Sequence, residues 1–362
     1  LPSEVELQIG SDLHPPSRAS LSRANKNAHA LHWERLQKDR LLLASITEKL
    51  TRRPFLLHKP FETAALTIQH RMDTNDILTL SDALSNGALP SLERLEISNI
   101  KTIGDGGSNI GDGGSKALAN ALRTNTVLTN LSLRLQNIEF SGAIAMAEAL
   151  KSNTALKLLD LAGNDIGING AIAMAEALKV NTVLESLNLG GNDIGIDGAI
   201  AMAEALKVNT VLESLNLYRN SIGDLGANAM AGALEVNTVL TYLNLRSNAL
   251  SPNGCIAIGE ALTNNAVLTS VNLKDNSAGP EGGKAIAKML QLNTTLKSLS
   301  IANTNLTRNK NDISGVLAIA EALKKNTALT QLDISSFWID DESRRLLQES
   351  VNGRDDFFLK IE

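Results

Sequence analysis

The sequence predicts an α/β repeat solenoid with a small all-helical piece in front of it. Three observations lead there. Leucines fall at positions 128, 156, 184, 212, 240, 268 and 296, each 28 residues after the last. Residues 164–189 recur at 192–217 with a single difference, Asp197 standing where the earlier copy has Asn169. Each copy also joins a stretch of period two to a stretch with helical spacing. A fixed period of this length marks a stack of one supersecondary unit, none of which buries its apolar face alone.

The unit opening at Leu184 justifies each element in turn. Leu184, Leu187 and Leu189 read as a short strand with one buried face. Asn192 ends the strand, as do Asn164, Asn220, Asn248 and Asn276 in their own units. These amides are expected inside the stack, satisfying turn groups that a short strand leaves unpaired. Gly195 and Gly198 are read as a tight turn. Ala199 to Lys207 has helical period, with Ala201, Met202, Ala205 and Leu206 facing inward. Asn209 falls just past the helix, as do Asn125, Asn153, Asn181, Asn237, Asn265, Asn293 and Asn326. Asparagine tolerates the left-handed conformation that suits a helix stop.

The array extends beyond its regular centre. Leu92, Leu95 and Ile97 open a unit 36 residues before Leu128, and the surplus shows as a tandem Ile103-Gly-Asp-Gly-Gly and Ile110-Gly-Asp-Gly-Gly. Leu329, Leu332 and Ile334 open the last unit, after extra residues near Thr304–Asn311. Residues 63–91 read as a degenerate first unit, so starts near 63, 92, 128, 156, 184, 212, 240, 268, 296 and 329 give ten units. Terminal units are expected to be atypical, with Phe337-Trp338 and Phe357-Phe358 covering the open end.

The L-x-x-L-x-L-x-x-N stretch followed by a helix in 28 residues resembles the ribonuclease-inhibitor-like class of leucine-rich repeats, across residues 63–345. The resemblance implies an arc with one parallel sheet on its concave side and helices on its convex side. A purely helical repeat does not fit, because L-x-L-x-x-N has no helical period.

Residues 1–50 lie outside the repeat and read as helical. Val5, Ile9 and Leu13 recur every four residues, His14-Pro15-Pro16 breaks the helix, and Ser17 caps a second one holding Leu21. A longer helix holds Leu31, Leu42, Leu43, Ile46 and Leu50. Pro54 and Pro60 mark a linker, 51–62, to the array at 63–362. Leu1-Pro2-x-Glu4-Val5, with Ile9, Leu13, Pro15, Leu21 and then Ser22-Arg23-x-Asn25-Lys26, resembles an F-box. That resemblance implies a head that grips a Skp-type adaptor of a cullin ubiquitin ligase through Leu1, Pro2, Glu4, Val5, Ile9, Leu13, Pro15 and Leu21. The repeats would then hold the substrate, and the ligase chemistry would lie in partner subunits. In a bacterial source, it would imply an effector acting in the cytosol of a host. The other reading of residues 1–50 is a plain helical cap on the first repeat.

Composition narrows the function classes. The net charge of −5 argues against a nucleic-acid binder. Residues 1–62 hold ten Lys+Arg and seven Asp+Glu, so they carry +3 and the remainder −8. One cysteine excludes an internal disulfide and fits a reducing, cytoplasmic compartment. No apolar run approaches the length of a membrane span, and no secretory signal is evident. Gly104 and Gly111 open Gly-Asp-Gly-Gly turns without a phosphate-loop lysine. His29 and His32 share a helical face without further metal ligands. Cys255 stands where sister units have Ala199 and Ala227, which suits packing rather than catalysis. No catalytic set, cofactor or metal site is expected.

The copies differ most on the predicted concave face. One column runs Ser98, Arg134, Ala162, Gly190, Tyr218, Arg246, Lys274, Ala302. Another runs Arg94, Asn130, Leu158, Ser186, Ser214, Tyr242, Ser270, Ser298. Both tyrosines of the chain fall here, one repeat apart. With Arg134, Arg219, Arg246 and Lys274 they form the expected target-binding patch, since tyrosine and arginine dominate interface energetics. The expected function is substrate recognition for an adaptor-linked ubiquitin ligase. Its rivals are a stand-alone protein-binding array and, less fitting for a chain with a short mixed end at Val351–Glu362, a Ran-type GTPase activator.

Overall fold

A computed structural model of the chain describes residues 64–68, 74–97, 109–307, 312–336 and 339–361. The helical head at 1–50, with the adaptor residues Leu1 to Leu21, and the linker at 51–62 lie outside the described residues. So do the first Gly-Asp-Gly-Gly copy, residues 308–311 of the 304–311 surplus, and Phe337-Trp338.

Strands and helices alternate along the array. In order they are β1 (Ala64–Ile68), α1 (Thr74–Ser85), β2 (Leu92–Ile97), α2 (Gly111–Leu122), β3 (Asn130–Ser132), α3 (Phe140–Leu150), β4 (Leu158–Asp160), α4 (Gly167–Leu178), β5 (Ser186–Asn188), α5 (Gly195–Leu206) and β6 (Ser214–Asn216). They continue with α6 (Gly223–Leu234), β7 (Tyr242–Asn244), α7 (Pro252–Asn264), β8 (Ser270–Asn272), α8 (Gly279–Leu292), β9 (Ser298–Ser300), α9 (Ser314–Leu323), β10 (Gln331–Asp333), α10 (Asp341–Ser350) and β11 (Phe358–Lys360). All eleven strands form one parallel sheet in chain order. Strands lie about 4.8 Å apart and packed helices about 8–10 Å apart, so the stack curves with its sheet inside.

The core lies between the two layers. Leu184, Leu187 and Leu189 from the strand stretch meet Ile194, Ala199, Met202, Ala203, Ala205 and Leu206, all at most 1% exposed. The buried asparagines behave as expected. Asn192, Asn220 and Asn248 are fully buried. The Asn220 side chain donates to Leu189 O at 2.8 Å and accepts from Asn192 N at 3.0 Å and Ile194 N at 3.3 Å. Gln136 and Thr304 stand at the two ends of this column, also buried.

Three expectations change within the repeats. Gly195 does turn the chain, at φ +64, but Gly198 lies inside α5. A Cβ there would meet Ala171 Cβ at 2.9 Å, so Gly198 serves close packing between helices. The helix correspondingly starts before Ala199. The Asn209 column is not left-handed: Asn265 and Asn293 have φ of −69° and −74° with extended ψ. These asparagines act through their side chains instead. Asn209 Nδ2 donates to Leu178 O at 2.7 Å, the last carbonyl of α4, while its Oδ1 accepts from Val211 N and Leu212 N. That satisfies a helix-end carbonyl that would otherwise be orphaned.

The C-terminal end also differs. The ten unit starts match β1–β10, but residues after α10 return to the sheet as an eleventh strand, β11. Phe357 packs against the core, whereas Phe358 is exposed, so Leu359 and Ile361 do the covering expected of both aromatics. Arg354 stacks on Phe357 at 4.3 Å and donates to the carbonyls of Leu323 and Leu329, tying the closing turn to the last repeat.

Candidate functional site

The parallel register lines up equivalent residues across the concave face. Asn130, Leu158, Ser186, Ser214, Tyr242, Ser270 and Ser298 pair in sequence, one per strand. A further column, Asp160, Asn188, Asn216, Asn244 and Asn272, was not singled out from sequence. Each side chain accepts from the backbone N–H two residues on, as Asn216 Oδ1 does from Tyr218 N at 3.0 Å. These bonds fix the backbone from which the next column projects.

Tyr218 and the arginines come together. The Arg246 guanidinium carbon lies 5.2 Å from the Tyr218 ring centroid, and that of Arg219 lies 5.8 Å from it. Arg219 is bent back by its left-handed backbone, at φ +53. Arg246 is itself held: its Nε donates to Asp275 Oδ2 at 2.6 Å, and Asn303 Nδ2 donates to Asp275 Oδ1 at 2.9 Å. Burial pushes the Asp275 carboxyl up, but hydrogen bonds from Asn303 and Arg246 and the charges of Arg246 and Lys274 outweigh it and hold it below the usual carboxylate range. On the other flank of Tyr218 the neighbouring repeat has Gly190 at the equivalent position, where a Cβ would lie 3.5 Å from Tyr218 Cβ. The result is a half-buried aromatic ring under two guanidinium groups with an open side.

The remaining candidates sit apart. Tyr242 pairs with Ser214, four residues before Tyr218 on the neighbouring strand, so the two tyrosines are roughly 13 Å apart along the strand direction. They do not form one aromatic patch, because equal columns at opposite ends of a strand do not touch. Arg134 stands three strands from Tyr218, roughly 14 Å away at normal strand spacing, and pairs with Asp160 at 3.5 Å. Lys274 is the next residue after Arg246 in its column and bears on Asp275. The patch is therefore less positive than its arginines imply, since Asp275 neutralises Arg246. Asp275 and Asn303 were missed. They share with Arg219 a column of left-handed residues just past the strand, and that column's variation was the available signal.

Among the described residues no group of three or more His, Cys, Asp or Glu is placed to hold a metal, and no helix is long and apolar enough to cross a membrane. The second Gly-Asp-Gly-Gly turn has a structural use. Asp112 accepts from Glu139 N and Gly142 N, both at 2.9 Å, and from Ser141 Oγ, capping the next helix, α3. Asp224 does the same for α7 through Ser251 and Gly254. Cys255 is fully buried and its thiol is pushed up to about 12, first by burial and then by the Asp224 charge.

Two family models match. One, described as the TMOD/LMOD Leucine-rich domain, matches residues 191–302, a span that includes Tyr218, Arg246 and Asp275. The other, described as a Leucine Rich repeat, matches residues 152–175. The chain thus carries leucine-rich repeats. No curated protein matches it. Among solved structures, one titled Leiomodin-1 Actin-Binding Site 2 is 26% identical, covering 41% of this chain and 86% of that one, with a TM-score of 0.36. The tropomodulin C-terminal domain of Caenorhabditis elegans is 15% identical, covering 36% and 79%, with a TM-score of 0.31.

Proposed function

We propose that the chain is a leucine-rich-repeat module that binds a target protein on its concave face, with Tyr218 as the anchor. One observation carries the reading: Arg246 grips the Tyr218 ring and is itself gripped by Asp275 and Asn303. An aromatic held in place before binding avoids part of the ordering cost of association. Arg219 and Lys274 supply the positive charge that Asp275 leaves unmatched, and they favour an acidic region on the target. Arg134 and Tyr242 make separate contacts at the margins of the same face. The module has no catalytic role of its own and works in a reducing, cytoplasmic setting, for which the buried, protonated Cys255 is suited.

The test is target capture from cytosolic extract by the wild-type chain, Tyr218→Ala and Arg246→Ala, with circular dichroism as the folding control. Bands captured by wild type and lost with Tyr218→Ala are expected. Equal capture by all three chains moves the binding site off this cluster.

A second reading adds the ligase role. The sequence of Leu1, Pro2, Glu4, Val5, Ile9, Leu13, Pro15 and Leu21 favours it through its F-box resemblance. The head then recruits a Skp-type adaptor and the cullin ligase, and the bound target is ubiquitinated. Mixing the full chain with a purified Skp-type adaptor at micromolar concentration decides the matter. Failure to associate leaves the binding module alone.

A further inference from the structure

The first turns of helices α3, α4 and α5 expose apolar side chains on their outer faces, ahead of the exposed Glu148, Glu176 and Glu204. Phe140 and Ile144 on α3, Ile168 and Ile172 on α4, and Ile196 and Ile200 on α5 are between 37% and 50% exposed. Each pair is spaced by four residues and so shares one helical face. The helices pack α3 on α4 and α4 on α5, so the six side chains make one field on the convex side. The two apolar rows stop at the neighbouring helices, although α6 exposes Leu225 beside them. At the equivalent positions α2 carries Asp112 and Lys116, and α6 carries Asp224 and Asn228. Residues 142–150, 170–178 and 198–206 are identical, so Ile144, Ile172 and Ile200 share one origin, whereas α3 opens with a different sequence, Phe140-Ser141, and still keeps its first position apolar.

One border of the field is acidic. Glu139, Asp165, Asp193 and Asp197 lie at the helix starts beside Phe140, Ile168 and Ile196, and all four are exposed. None forms an ion pair with a lysine or arginine among the described residues, whereas the outer lysines are already matched: Lys151 with Glu148, Lys179 with Glu176 and Lys207 with Glu204. A contiguous exposed apolar patch marks an interaction surface.

We propose that this field docks an amphipathic helix of a partner protein whose apolar stripe is flanked by lysine and arginine. Apolar residues at i, i+3, i+4 and i+7 fit the rows of isoleucines, and the basic flank meets the four unmatched carboxylates. A second copy of the chain offers the same carboxylates and no unmatched outer lysine on these helices. An anionic membrane is repelled by them.

The probe is a fluorescein-labelled Leu/Lys amphipathic peptide of about 18 residues, five helical turns, titrated against the full chain by anisotropy. Binding is expected at micromolar protein and is expected to weaken with salt. Ile172→Ser with Ile200→Ser should lower affinity at least tenfold. Asp165→Asn, Asp193→Asn and Asp197→Asn together should flatten the salt dependence, and being exposed they test the idea even if the isoleucine variant fails to fold. Tyr218→Ala should change nothing, because it lies on the opposite face. Equal binding of a Leu/Glu peptide, no anisotropy change up to about 0.1 mM protein, or unaffected variants overturns the proposal. So does self-association in sedimentation, or binding to anionic vesicles, that the isoleucine variant abolishes.

Discussion

Replacing single asparagines of the buried column should cost unequal amounts, and the hydrogen bonds say which costs more. Asn192→Ala removes the acceptor of Asn164 N, 3.1 Å away, and that N–H has no other partner. The other groups it served keep a partner each: Leu161 O a bond from Asn164 Nδ2 at 2.7 Å, and Gly190 O one from Gly163 N at 2.7 Å. One buried donor is orphaned, a loss of about 1–3 kcal/mol. Asn220→Ala orphans three groups: Asn192 N, Ile194 N and Leu189 O. At about 1–3 kcal/mol each that is about 3 kcal/mol at the least. Both sites are fully buried, so bulk water does not substitute. The assay is urea unfolding followed by circular dichroism, with hydrogen exchange at residues 189–194 to locate the damage. Because neighbouring repeats support each other, exchange should quicken in the adjoining units as well. Equal losses for the two variants, or a larger loss for Asn192→Ala, would refute the reasoning.

Three other outcomes follow from the same bonds. The Asp275 carboxyl is depressed in the fold, so its contribution to stability is present above the ordinary carboxylate range and lost as pH falls through and below it. Urea midpoints of Asp275→Asn should therefore fall less steeply on acidification than those of the wild type. Asp224→Ala removes the acceptor for Ser251 N and Gly254 N and should cost about 0.5–2 kcal/mol, seen as faster exchange of those two amides. The Cys255 thiol, with its pKa near 12, should resist a thiol-specific disulfide reagent at pH 8 in the folded chain and react in denaturant; prompt reaction of the folded protein would place it nearer the surface.

Most of the fold was legible because a repeat repeats its physics. Leu184, Leu187 and Leu189 alternate, Asn192 must be satisfied, and Met202 and Leu206 share a helical face, so one unit read correctly describes its sisters. The errors fell where one residue type serves two purposes. Glycine permits both a positive φ and a close approach, and only the Ala171 contact shows that Gly198 does the second. Asparagine suits both a left-handed stop and a side-chain cap, and the bond from Asn209 to Leu178 O decides for the cap. The eleventh strand was missed because Phe358–Lys360 has no leucine pattern and is held only by pairing with β10.

The candidate site divides the same way. The sequence by itself determined the period, the strand and helix of each unit, and which columns face outward, because these follow from side-chain spacing along one chain. It did not determine which outward residues touch. Tyr218 and Arg246 are 28 positions apart and meet, while Tyr218 and Tyr242 are 24 apart and do not, since the offset along the strand separates them. Nor did it show that Asp275 holds Arg246, that Asp112 caps a helix in the next repeat, or that six apolar side chains on α3–α5 stand together outside. Those facts depend on the register between units, which is set by packing and backbone pairing across the stack.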